Sequence, residues 1–173
     1  MTEIENYLIT NSSPWVIMVI PVLAFLESCA LIGLLVSGIL LLTVSTLLYS
    51  SGTAEINSIT FLAFCGAAAG DQTGFLLGRM SGDGIWKTRL LCKHIDKKEK
   101  IQKLMKSNAS WAIFIGRFTP AVRSITPIMA GLAKLSVKRF LTYDLTACFF
   151  WALGLYLLVK GVSSFQFLSF LGS

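Results

Sequence analysis

Apolar residues run almost unbroken from 15 to 49, a stretch of 35 residues in which Glu27 is the one ionisable side chain. Two complete helical spans need about 40 residues plus a turn, and one straight span needs about 20. The run therefore predicts a hairpin that enters and leaves by the same side, with its tip near Glu27 to Ser37. Such re-entrant backbone is stable at bilayer depth only where it is buried in protein or lines a cavity. A polar turn without Lys or Arg follows at 50–58, and residues 59–78 then have the length of a full span with Asp71 as its single charge. A second apolar run, 109–133, is interrupted by Arg117, Pro120, Arg123 and Pro127. Two prolines and two arginines do not fit a plain lipid-facing helix. Lys134, Lys138 and Arg139 come directly after, so this segment too is expected to return to the face it entered. Residues 141–160 make the last span, with Asp144 inside it.

The two halves, 15–78 and 109–160, thus share one plan of broken hairpin followed by span. Charge bias sets the first hairpin on the outer side and the second on the inner side, which makes an inverted repeat. Many secondary transporters use that plan and bind substrate where the broken helices meet. The predicted fold is an all-α integral membrane protein: a single membrane domain, 1–173, with two re-entrant helical hairpins, each followed by a transmembrane helix.

Composition agrees with this pattern. The chain is 54% apolar and 14% charged, against about 25% charge in soluble domains. Its net charge of +6 is concentrated: nine of fifteen Lys and Arg fall within 79–110. The positive-inside rule expects such a block on the cytoplasmic side, and this reading outranks nucleic-acid binding. Within it, Ile101, Leu104 and Met105 alternate with lysines, as in a helix lying on an anionic leaflet. The first fourteen residues contain Glu3 and Glu5 but no basic residue, which is not the pattern of a secretory signal. Four cysteines form no CxxC pair and there is one histidine, His94, so neither a metal centre nor a disulfide framework is expected.

Glycine recurs at 66, 70, 74 and 78. Four-residue spacing lays these glycines along one helix face and permits close helix–helix approach. They are expected to pack helices, with Pro120 and Gly131 shaping the second hairpin. Arg79, at the end of that span, reads as a snorkelling anchor. Trp111 and Trp151 read as interface or packing aromatics.

Glu27, Arg117 and Arg123 are the strongest functional candidates. A charge at the bilayer centre costs about 2.5–3.5 kcal/mol on insertion scales, so all three must pair or line a wet cavity. Opposed hairpin tips would bring Glu27 to the arginines. On a continuous helix, residues six apart point about 240° from each other; Pro120 breaks the helix and lets Arg117 and Arg123 turn toward one point. Guanidinium forks suit phosphate, and freed N–H groups near a broken helix add to an anion site. The alternative is that the arginines simply neutralise Glu27, Asp71 and Asp144. Asp71 either bonds across helices beside the glycine stripe or joins Glu27 as a site of proton exchange.

Phe114-Ile-Gly-Arg117-Phe-Thr-Pro120-Ala-Val-Arg123, then Ala130-Gly131, resembles the signature of the DedA membrane protein family, also called the VTT or SNARE-associated domain. Ala24-Phe-Leu-Glu27-Ser, Gly70-Asp71 with Gly78-Arg79, and Phe140 to Trp151 resemble its other blocks, in the family's order. The resemblance implies paired re-entrant hairpins, a bacterial inner-membrane location and lipid transport. It links the chain to translocation of undecaprenyl phosphate or phospholipids, to envelope integrity and, in some members, to proton dependence. It maps Glu27, Arg117 and Arg123 onto the functionally important acid and arginine positions. Two departures stand out. Val36-Ser37-Gly38-Ile39 lacks the proline and the second acid that many members carry, and Asp144 stands where Asn is common. Asp144 is a candidate to supply the charge missing at Ile39.

The leading expectation is a transporter or flippase for a lipid with an anionic phosphate headgroup. Arg117 and Arg123 would grip the phosphate, and Glu27 would organise them or exchange a proton. A non-transporting scaffold in envelope assembly is the alternative, and a small-cation or drug exporter ranks below it. Enzymatic turnover is not expected, because His94 stands alone in the basic loop without a Ser/His/Asp arrangement. No cofactor is expected. The partners are membrane lipid and a coupling proton, and a homo-oligomer is compatible with the sequence.

Overall fold

The computed structural model describes residues 15–29, 38–81, 107–119, 123 and 125–171. Most of the basic segment expected over 79–110 lies outside the described residues, as do Pro120 and tip positions 30–37. A 3-10 turn at Val16–Met18 leads into α1 (Val19–Ser28). Then come α2 (Gly38–Ser50), α3 (Ile56–Ser81), α4 (Ala109–Phe118), α5 (Thr126–Leu132) and α6 (Val137–Leu171). Among the described residues every regular element is helical.

Local chemistry sets the boundaries. Pro21 lies in the first turn of α1, where its missing N–H leaves no bond unmade. The chain leaves α1 at Cys29, which is extended at ψ 125°. α2 closes on Gly52, whose φ of 68° is a left-handed conformation that glycine adopts without steric cost. α4 stops at Thr119, extended at ψ 109°; this residue precedes Pro120, and the proline ring disfavours a helical conformation there. Pro127 lies in the first turn of α5, again where a proline is tolerated.

Among the described residues, α6 is the one helix long and apolar enough to cross a membrane, over Val137–Ser164. α3, expected as a span over 59–78, is longer than predicted at 26 residues. Its length suffices for a crossing, but its centre, Gly66-Ala-Ala-Ala-Gly-Asp-Gln, holds small and polar side chains in place of large apolar ones. The helical arms flanking the first break, Val16–Ser28 and Gly38–Ser50, are apolar and each too short to cross alone.

α3 is the axis of the structure, packed by α1, α5 and α6. The glycines on it mark the closest approaches. A Cβ on Gly66 would lie 2.8 Å from Pro21 Cα, and one on Gly70 would lie 2.8 Å from Ser28 Cβ. Farther along, Gly78 faces the Ile128 backbone of α5, and Gly131 of α5 faces the Phe75 carbonyl and Arg79 N–H. Gly74, between the two docking points, is buried. One core, around Ile20, Ala24, Leu41, Ile59, Ala67 and Leu155, joins α1, α2, α3 and α6. Another is built on the stacked rings of Phe75 and Phe140, 4.2 Å apart. Phe61, Phe149, Leu157 and Leu158 point outward and exposed, as expected of a surface solvated by hydrocarbon.

Candidate functional site

Helix register delivers the polar residues to one place. α1 ends with Glu27 and Ser28, whose positions are fixed because Gly70 lets this helix end lie against α3. The next residue on α3 is Asp71, fully buried. Arg117 occupies the last turn of α4, and Arg123, itself helical, lies beyond it and before α5. α6 presents Asp144, Cys148 and Trp151, spaced i, i+4 and i+7 and hence on one face.

Among the described residues the two arginines make three ion pairs with these acids. Arg123 Nη1 pairs with Glu27 Oε1, and its Nη2 donates to Ser28 Oγ at 3.2 Å. Arg117 Nη1 pairs with Asp71 Oδ2 and lies 3.5 Å from Asp144 Oδ1. Gln72 Nε2 donates to Asp144 Oδ2 at 3.1 Å. Trp151 connects the pairs: the guanidinium carbons of Arg123 and Arg117 lie 4.6 and 5.7 Å from its ring centroid, within cation–π range. Both arginines therefore converge on one ring although they are six residues apart.

The partners differ from the sequence expectation in one respect. Glu27 engages Arg123 alone, while Arg117 turns to the acids of α3 and α6. The reason is register: Arg117 is still within α4, which packs on α6, whereas Arg123 lies beyond that helix and reaches the end of α1. Asp144 adds negative charge to the cluster at Arg117, and the side chain of Ile39 is exposed. Arg79 does more than anchor, donating to the Leu135 carbonyl at 3.0 Å.

Ser28, Gln72 and Cys148 join the cluster without having been singled out in the sequence, and Trp151, expected only as an interface or packing aromatic, meets both guanidiniums. The signal for two of them was present, since Cys148 and Trp151 follow Asp144 at helical intervals on an otherwise apolar segment. Asp71, Asp144 and Cys148 hold their ligand atoms within 4.8 Å of one another. The cation that meets both carboxylates is the Arg117 guanidinium itself, so this donor set is already engaged by protein.

Buried hydrogen-bonding capacity remains. Among the described residues, Nε and Nη2 of Arg117 and Nε of Arg123 have no acceptor, and Glu27 Oε2 and Asp71 Oδ1 have no donor. Most buried polar groups in folded proteins are satisfied, so this concentration sets the cluster apart from an ordinary packed core.

A helical bundle with one helix long and apolar enough to cross a membrane, over Val137–Ser164, is consistent with a membrane protein. Residues 20–161 match the VTT domain, and the chain belongs to that family, the DedA family. It is 28% identical to the inner membrane protein YabI of Escherichia coli over 87% of this chain and 59% of that protein. An uncharacterised membrane protein of Mycobacterium leprae is 31% identical over 77% of this chain and 60% of its own length. Protein DedA of Escherichia coli is 24% identical over 84% and 68%. The chain spans just under three fifths of the length of several curated relatives that it matches. No solved structure matches it.

Proposed function

We propose that the protein is a multi-pass transporter or flippase of the bacterial inner membrane, moving a lipid with an anionic phosphate headgroup, undecaprenyl phosphate or a phospholipid. The observation that carries this reading is the set of buried guanidinium N–H groups on Arg117 and Arg123 that find no acceptor among the described residues. They lie where the two interrupted segments meet, and phosphate oxygens are the natural acceptors for such forks. Arg123 is the primary phosphate ligand in this reading. It is the less buried of the two and is held by one carboxylate, which an incoming phosphate would displace. Release of Glu27 then leaves a carboxylate without its counter-ion at membrane depth, and uptake of a proton there would couple lipid movement to a pH gradient. The short arms on both sides of each break support a re-entrant, inverted-repeat architecture. The reading requires neither a cofactor nor turnover of the lipid.

Purified protein in liposomes, assayed with labelled polyprenyl phosphate against labelled phospholipid, with and without a pH gradient, tests this directly. Arg123→Ala and Arg123→Lys are expected to reduce flux at least tenfold while the protein stays folded in the membrane. Wild-type flux in both variants would refute phosphate recognition by this residue. Absent flux in wild type together with preserved envelope complementation would point to the scaffold role instead.

A further inference from the structure

The charges in the buried cluster do not cancel. Glu27, Asp71 and Asp144 bring three carboxylates to two guanidiniums, and the imbalance is local. Arg123 and Glu27 match one to one, with Ser28 hydrogen-bonded beside them. Asp71 and Asp144 share Arg117, and the same Nη1 atom faces both. The other described groups facing this pair are neutral. Gln72 of α3 gives one N–H to Asp144, and the Cys148 thiol of α6 lies 3.7 Å from Asp71 Oδ2 and 3.9 Å from Asp144 Oδ2. The remaining cation nearby, Arg123, is committed to Glu27.

Both carboxylates are almost wholly buried, at 0% and 2% exposure, so water does not supply the missing compensation. Asp71 Oδ1 is buried without any donor among the described residues. Two carboxylates that cannot both be compensated at one site retain a proton between them, and they titrate as a unit.

We propose that Asp71 and Asp144 hold one proton between them at neutral pH, with Arg117 as the fixed counter-charge, so that this pair and not Glu27 is the resident protonation site. The inference rests on the membrane reading and sharpens the proton coupling in the proposed function, but it does not require lipid movement.

Infrared spectroscopy of the full chain in lipid nanodiscs, with H2O/D2O exchange, reads protonated carboxyl groups directly. One protonated carboxyl per chain is expected in wild type at neutral pH. Asp144→Asn and Asp71→Asn should each abolish it, and Glu27→Gln should leave it in place. Absence of the signal in wild type, or its survival in both Asp variants, would overturn the proposal. Should Asp71→Asn fail to fold, proton release on detergent unfolding at pH 7 decides the matter. Wild type should release one proton more than Asp144→Asn, and equal release refutes the shared proton. Lipid flux enters none of these readouts, so the proposal and the transport reading can fail separately.

Discussion

Replacing Arg117 by Met removes the cation that, among the described residues, pairs with Asp71 and Asp144, while keeping a side chain of similar length against α6. Both acids then face only Gln72 and Cys148 in a site almost sealed from solvent. Removing one partner of a buried ion pair costs about 3–5 kcal/mol, because the remaining charge is left uncompensated. Loss of the contact with Trp151, at 5.7 Å, adds about 0.5 kcal/mol. For a protein of this size each kcal/mol shifts Tm by roughly 2–4 °C, so a drop of roughly 7–22 °C is expected. The reasoning also makes a rescue prediction. Replacing a whole buried ionic group by neutral side chains of like volume is often close to neutral, so Arg117→Met combined with Asp71→Asn and Asp144→Asn should recover most of the loss. Thermal unfolding in one fixed detergent, followed by tryptophan fluorescence and by monodispersity, measures both variants. The electrostatic account fails if Arg117→Met unfolds within about 2 °C of wild type, or if the triple variant is no more stable than the single one.

Gly66→Ala drives a Cβ into the Pro21 backbone and should destabilise by about 1–3 kcal/mol, the usual range for overpacking. Gly154→Ala meets open space and should be neutral or gain up to about 1 kcal/mol from helix propensity; equal effects in the same unfolding assay would contradict the packing assignment. Trp151→Leu withdraws the ring from both guanidiniums and should cost about 1–4 kcal/mol, taking about 0.5–2 kcal/mol for each contact, with Trp151→Phe recovering part of it. A Trp151→Leu protein as stable as wild type would show that the ring is packing only.

Helix limits followed from composition at the positions where backbone chemistry is decisive. Thr119 before Pro120 had to leave helical geometry, and the short arms around Glu27 could not cross a bilayer alone. The pairing of charges was less legible, because it depends on the register between segments far apart in sequence. Glu27 meets Arg123 only because Gly70 admits the end of α1 and α4 releases the chain after Phe118. Arg117, one turn earlier in effect, is still held on a helix that packs on α6. In sequence Asp144 is the one acid of its span, a candidate to supply the charge missing at Ile39, and Trp151 reads as an interface or packing aromatic. Their seven-residue spacing, with Cys148 between them, identifies a polar face directed inward. Hydropathy registers how many polar residues a span contains, whereas this site depends on which face they share.

The distribution of these charges has a consequence for biogenesis. Glu27 and Asp71 belong to the segments made first, while Arg117 and Arg123, with Asp144, arrive in the segments made later. The leading part of the chain therefore brings two of the cluster's carboxylates and neither of its guanidiniums, and the trailing part brings both guanidiniums with the third carboxylate. Neither part is electrically complete until it has docked on the other. The glycine seats of α3 then admit α1 at one end and α5 at the other. The same side chains that form the cluster thus act as a recognition code between the nascent halves, favouring the one arrangement in which each guanidinium finds its acid.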